Sequence, residues 1–209
     1  GVTAKIFHLG YLLLLDRLDA LSADGQTGAA EVLRRARAAG LRTSADCVSD
    51  HSGRFRAVAA PALPHVDYFF ANDFEAEKLT GVILRNAQRL DPHAVRAAAR
   101  ALLEAGVREW VFIHFEEGAF AASREAEVWQ PSLRVPAADI RGAAGAGDAF
   151  AAGVLYGLHE DWPLAESLRL GVSAAAASLY DPRCSASLRP IEECRRLAEQ
   201  LGFNGASFD

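Results

Sequence analysis

Apolar and polar positions alternate along this chain with two different periods, and they change over in a regular order. Ala4 to Leu9 (AKIFHL) is a short apolar run of the kind that forms a buried strand. Thr27 to Ala39 carries Ala30, Leu33 and Ala36 at helical spacing, with Gly40 placed to stop the helix. Leu41 to Ala45 reads as the next strand and leads into Asp46. Gly53 to Ala60 reads as a helix cut short by Pro61 and Pro64. Val66 to Ala71 is aromatic and β-branched and predicts a strand, and Asp73 to Leu79 a short helix. Pro92 to Ala105 predicts a longer helix, with proline in its first turn and Gly106 beyond its end. Glu109 to His114 (EWVFIH) is a further strand.

Strands that alternate with helices in this way are parallel strands joined by helical crossovers, so the expected class is α/β, a three-layer α/β/α sandwich on a mostly parallel sheet. After His114 the pattern changes. Ala119 to Ser123, Glu127 to Gln130 and Leu133 to Val135 read as short antiparallel pieces separated by turns. Asp148 to Leu158, Leu164 to Leu179 and Pro190 to Leu201 then read as helices, and the last residues, NGASFD, as a frayed tail. No repeat, low-complexity stretch or linker interrupts the chain, which reads as a single domain over residues 1–209.

Composition narrows the function classes. The chain has 209 residues, 51% of them hydrophobic, enough to fill one sizeable core. The net charge of −5 argues against nucleic acid or an anionic membrane as the main partner. The three cysteines, Cys47, Cys184 and Cys194, have no CxxC spacing, which disfavours a zinc site. Their odd number suits a reducing compartment. No apolar run of ~18 residues predicts a membrane span, and the opening residues lack a signal-peptide pattern, so cytoplasmic is the expected location.

The candidate chemistry centres on GAAGAGDAFAAG, residues 142–153. Small residues lead into a helix that begins near Gly145, with Asp148 in its first turn. The first N–H groups of a helix have no internal partner and lie at the positive end of its dipole, and glycine lets an anion come close to them. A carboxylate beside such a cradle binds phosphate poorly but is well placed to take a proton from a hydroxyl that attacks it. Close packing and first-turn helix stabilisation by Asp148 explain the same residues more simply. The stretch is neither GxxxxGK[ST] nor an early GxGxxG. Asn72 with Glu75 reads on its own as a helix cap with a capping-box partner. Asp46 ends a strand, where ligands of parallel sheets gather, and His114 is a core-edge histidine or a cleft residue.

GAAGAGDAFAAGVLYGL resembles the C-terminal signature of the ribokinase-like (PfkB-type) carbohydrate kinases, DTxGAGD followed by a small–aromatic helix. Asn72 to Gly81 (NDFEAEKLTG) resembles that family's NxxE segment, and IHFEEGAF, Ile113 to Phe120, its strand and turn beside the nucleotide. The resemblance implies a ribokinase-like fold and ATP-dependent phosphorylation of a sugar or nucleoside hydroxyl. It makes Asp148 the general base, and Gly145, Ala146 and Gly147 the anion hole for the γ-phosphate. Asn72 and Glu75 would organise Mg²⁺ and phosphate through water, and Gly118 and the 164–179 helix would flank the adenine. The family's leading Asp-Thr is replaced here by Gly142-Ala143, which weakens phosphate organisation and leaves open a catalytically impaired nucleotide-binding or regulatory homologue. A vitamin-precursor kinase of the same fold is a further alternative. The family's first strands, sugar-gripping residues and β lid have no counterpart here. This implies either a missing N-terminal segment or a partner chain, with a homodimer among the options. A chain starting at Gly1 is expected to bind sugar poorly.

Overall fold

A computed structural model of the protein describes residues 4–184, 188–205 and 208. The expected start of the chain inside the sheet, at Gly1-Val2-Thr3, lies outside the described residues.

The elements run in the alternating order that the hydrophobic pattern predicts. Strand β1 (Ile6–Leu12) is followed by helix α1 (Gly28–Ala38), β2 (Arg42–Cys47), α2 (Phe55–Ala59), β3 (Tyr68–Asn72) and α3 (Asp73–Thr80). A two-stranded hairpin of β4 (Arg85–Asn86) and β5 (Arg89–Leu90) precedes α4 (Pro92–Glu104). Strands β6 (Trp110–Phe115), β7 (Gly118–Ala122) and β8 (Glu127–Pro131) come next, then α5 (Ala146–His159), α6 (Leu164–Ser178) and α7 (Ile191–Leu201). The six-stranded sheet has the order β1-β2-β3-β6-β7-β8. It is mostly parallel and flanked by helices. Strands β1 and β2 pair parallel with Phe7 opposite Thr43, and β2 and β3 pair parallel with Ser44 opposite Tyr68. Glu116 and Glu117 alone connect β6 to its neighbour β7, a link that only antiparallel strands allow. No helix among the described residues is long and apolar enough to cross a membrane.

The helix ends follow local chemistry. Thr27 caps α1 by accepting from Ala30 N–H at 3.2 Å. Asp91 caps α4 by accepting from His93 and Ala94, with Pro92 at the first position. Gly81 ends α3 in the left-handed conformation at φ 78°.

By contact density the chain forms two compact units, residues 1–113 with 120–127, and residues 114–119 with 128–209. In the first, Phe69, Phe70, Phe112 and Phe120 are fully buried, and Phe70 stacks on Phe112 at 4.6 Å. A buried carboxylate staples this unit. Asp67 is 2% exposed, and its Oδ2 accepts from Thr43 N–H at 2.8 Å and from the Thr43 hydroxyl at 3.1 Å. Its Oδ1 lies 3.5 Å from Arg37 Nε and 3.4 Å from Arg108 Nε. Asp67→Ala leaves the buried Thr43 N–H without its acceptor and is expected to cost about 3 kcal/mol, read as a lower urea midpoint. A midpoint unchanged from the unaltered chain would show that the staple contributes nothing net.

In the second unit α5 and α6 meet along a bare seam. A Cβ on Gly153 would lie 2.8 Å from Gly171 Cα, and one on Gly171 would lie 2.6 Å from Val154 Cγ2. A Cβ on Gly157 would collide with the Ser167 hydroxyl. The two backbones therefore touch where other helices interpose side chains.

Three features differ from the sequence expectation. Strand β1 runs on to Leu12, because Val48 N–H donates to Leu12 O and keeps the pairing beyond Leu9. Leu133–Val135 is no strand. Leu133 makes a single antiparallel bridge to Phe203. The described tail residues are anchored. Asn204 N–H donates to Ser132 O at 2.8 Å, and Phe208 stacks on Trp129 at 4.6 Å. Residues 206, 207 and 209 of that expected frayed tail lie outside the described residues.

Candidate functional site: a glycine cradle and its acid

The second unit holds the cradle. Gly145 is the N-cap of α5, with φ 82° and ψ 1°, a left-handed conformation that glycine adopts without strain. Its surroundings also leave little room for side chains. A Cβ on Gly145 would meet Cys184 Cβ at 3.2 Å, and one on Gly142 would meet Pro182 Cα at 3.0 Å. The turn that follows α6 is therefore packed against residues 142–145. A Cβ on Gly147 would meet the imidazole of His114, with Cε1 at 3.0 Å and Nε2 at 3.2 Å. Ala146 N–H donates to Ala143 O at 3.1 Å, and Ala149 N–H to Gly145 O at 2.9 Å. Asp148 is exposed in the first turn of the helix, and Ala149 and Phe150 behind it are buried. Asp181, in the adjoining turn, is held at about 2 by hydrogen bonds from Arg183 and so carries its charge at neutral pH.

Gly118 opens β7 at φ 155°, and a side chain there would run into Gln130 O, with Pro131 Cα at 3.0 Å. Close approach of the hairpin strands is thus a sufficient reason for this glycine.

The first unit holds the other cluster. Asn72 caps α3 by accepting from Glu75 N–H at 2.8 Å, and Glu75 Oε2 accepts from Asn72 N–H at 2.9 Å, a complete capping box. Glu75 is only 4% exposed. Its other oxygen accepts from the Ser49 hydroxyl at 2.8 Å, and Ser49 Oγ accepts from Asn72 Nδ2 at 2.9 Å. Ser49 is the residue that sequence reasoning missed. It lies 23 residues before Asn72, in a loop whose pattern gives no sign of the contact. Cys47, buried nearby, is pushed well above its usual range, first by burial and then by Glu75, Asp46 and Asp19, so it remains a neutral thiol.

Asp46 lies at the carboxyl end of β2, buried, with its Oδ2 3.8 Å from His8 Nε2. His8 Nδ1 is 3.0 Å from the Ser44 hydroxyl. A Cβ on Gly10 would reach Asp46 Oδ1 at 3.0 Å, so this corner also depends on a glycine.

These groups fit magnesium only through water. Glu75 Oε2 and the Asn72 side-chain carbonyl are engaged within the capping box and Glu75 Oε1 by the Ser49 hydroxyl, but a carboxylate oxygen has a second lone pair to offer a metal-bound water. Among the described residues, no three His, Cys, Asp or Glu side chains are grouped to hold a metal ion directly.

The family model of the pfkB family carbohydrate kinases matches residues 5–191. A 5-dehydro-2-deoxygluconokinase of Geobacillus kaustophilus is 28% identical over 102 residues, 49% of this chain and 30% of that protein. A deoxyribokinase of Salmonella typhi is 31% identical over 127 residues, 61% of this chain and 39% of that protein. The chain thus spans well under half the length of these curated relatives. Among solved structures, the Arabidopsis thaliana ribokinase complexed with ribose and ATP superposes with a TM-score of 0.69 at 20% identity, covering 81% of this chain and 51% of that one. At that identity the superposition speaks for the fold.

Proposed function

Because this chain belongs to the pfkB family of carbohydrate kinases, we propose that it transfers the γ-phosphoryl group of ATP to a hydroxyl of a sugar or nucleoside. The observation that carries this reading is the N-terminus of α5. Bare glycines lie at its positive end, and Asp148 is exposed one residue after Gly147.

The reaction asks for two things that the helix end offers. Charge spread over the equatorial oxygens of the transferring phosphoryl group is met by the amides of Gly145 and Gly147 and by the helix dipole. The Ala146 amide already serves Ala143 O, so it joins the cradle only by exchanging that partner. Asp148 accepts the proton of the attacking hydroxyl, which turns the acceptor into a better nucleophile as the P–O bond forms. Asn72 and Glu75 orient magnesium-bound water through the oxygens of their capping box. Magnesium itself neutralises phosphate charge when bound with ATP. Gly118 and His114 flank the nucleotide, and Asp46 belongs to the acceptor side.

One observation favours a second reading, a nucleotide-binding homologue that turns over poorly. Position 142, where the family signature has Asp, is closely backed by Pro182: a Cβ there would lie 3.0 Å from Pro182 Cα, so a side chain would fit only if that backbone gave way slightly. A coupled assay of ADP release against a panel of sugars and nucleosides, run beside thermal-shift measurement of ATP binding, separates the two. Acceptor-dependent ADP release is the expected result. ATP binding without it selects the second reading, and absence of both would sink the two together.

A further inference from the structure

The Asp67 staple holds more positive charge than its carboxylate can neutralise. Arg37 comes from the last turn of α1, and Arg108 from the segment before β6, where its N–H donates to Val66 O at 2.9 Å. Both guanidiniums approach the same oxygen of Asp67, through Nε at 3.5 and 3.4 Å. These are ion-pair contacts longer than a good hydrogen bond. Neither guanidinium has another partner among the described residues. One carboxylate balances one guanidinium, so a full positive charge is left over. Asp67 is buried, while Arg37 is partly and Arg108 well exposed.

His65 stands in the same field. It ends the short 3-10 turn Leu63–His65, two residues before Asp67, and its half-buried ring has no hydrogen-bond partner among the described residues. Burial first, then Arg37 and Arg34 and lastly Arg108, hold this imidazole below the usual histidine range, with Glu31 pulling the other way. The remaining charges at this end of the sheet are paired. Arg34 and Arg35 bond to Glu31, and Arg42 to Glu109.

We infer that Arg37, Arg108 and His65 form a binding site for a phosphate group, inorganic or esterified, at the amino ends of β2 and β3. The leftover guanidinium charge and a protonated His65 together supply two positive charges, which a phosphate dianion balances and a carboxylate does not. Guanidinium forks match the oxygens of phosphate. The shared carboxylate holds the two arginines side by side before any ligand arrives, so little side-chain freedom is lost on binding. Asp46 and Asn72 lie at the carboxyl ends of the same two strands, so this site is separate from theirs. It does not rest on the kinase reading.

NMR titration of the histidine rings tests this, with His65→Gln identifying the His65 signal among the six histidines. Without added anion the ring is expected to titrate below the ordinary histidine midpoint. Inorganic phosphate at ~10 mM, with ionic strength held constant by chloride, should raise that midpoint by about one unit, because anion and proton bind together. Acetate under the same conditions should raise it by less than about 0.3 unit. A response to methyl phosphate as large as that to inorganic phosphate shows that the site admits esters, and a response to inorganic phosphate alone assigns it to the free ion. In Arg108→Gln the ring should start from a higher midpoint, one cation having gone, and its rise with phosphate should shrink below about 0.3 unit. Arg108→Lys keeps the charge without the fork and should retain about half of the rise. The readout is the ring itself, so phosphate taken up elsewhere on the chain does not register. A His65 midpoint that phosphate leaves unmoved would overturn the inference. So would a rise that acetate matches, or one that persists in full in Arg108→Gln.

Discussion

Asp148→Asn is expected to lower phosphoryl transfer by about 1,000-fold while ATP binding changes by less than about threefold. The substitution keeps the shape of the side chain and its place in the first turn of α5, but an amide does not accept a proton. A loss of that size corresponds to ~4 kcal/mol in the barrier, the range of a positioned general base. Because Asp148 is exposed and asparagine keeps its shape, the melting temperature should move little. Steady-state turnover with saturating ATP, measured with the best acceptor of the panel, gives the comparison. Turnover within about tenfold of the unaltered chain would remove Asp148 from the role of base and leave the residue as a helix-end charge.

Gly153→Val is expected to be among the most damaging single changes in the second unit. The new Cβ would start 2.8 Å from Gly171 Cα and 3.0 Å from Leu170 O, and both obstacles are backbone. Neither can rotate aside as a side chain would. Helices α5 and α6 must then separate along the seam, opening the contacts of Phe150 and Val154. Overpacking of a close-packed site costs ~1–3 kcal/mol, and a wholly backbone obstacle belongs at or above the upper end. At ~2–4 °C per kcal/mol for a chain of this size, the melting temperature should fall by about 10 °C. Ala152→Val, one residue away on the exposed face, adds a valine to the same helix without the collision; it costs ~0.5 kcal/mol in helix propensity, whereas glycine to valine gains propensity, so the comparison understates the seam. Circular dichroism melts of the two variants isolate the seam, and equal melting temperatures would show that the helices repack freely.

Much of this molecule is legible in its sequence because two signals are strictly local. The alternation of strand and helix follows from the hydrophobic period, and the caps at Thr27, Asn72 and Asp91 follow from side chains two or three residues from the amides they serve. The candidate cradle is a local signal for the same reason, since residues 145–148 are consecutive. What escapes the sequence depends on residues far apart in the chain. The β4–β5 hairpin has two residues in each strand, too few for any alternation to show. Glu75 reads as the capping-box partner of Asn72, but nothing local shows that it is buried and takes a second partner, Ser49, from a distant loop. Cys184 belongs to no motif in the sequence, and only the folded chain sets it against Gly145. The bareness of residue 142 reads as a lost functional side chain, whereas Pro182 gives it a steric cause.

The Asp67 staple has a consequence for the order of assembly during synthesis. The partners of its carboxylate, Arg37, Thr43 and Arg108, bracket Asp67 within one continuous span. A nascent polypeptide that has emerged from the ribosome as far as Arg108 already carries the whole set. Strands β2 and β3 and helix α1 can therefore lock together before β6 and β7 emerge, and late-arriving segments dock onto a finished edge instead of competing for it.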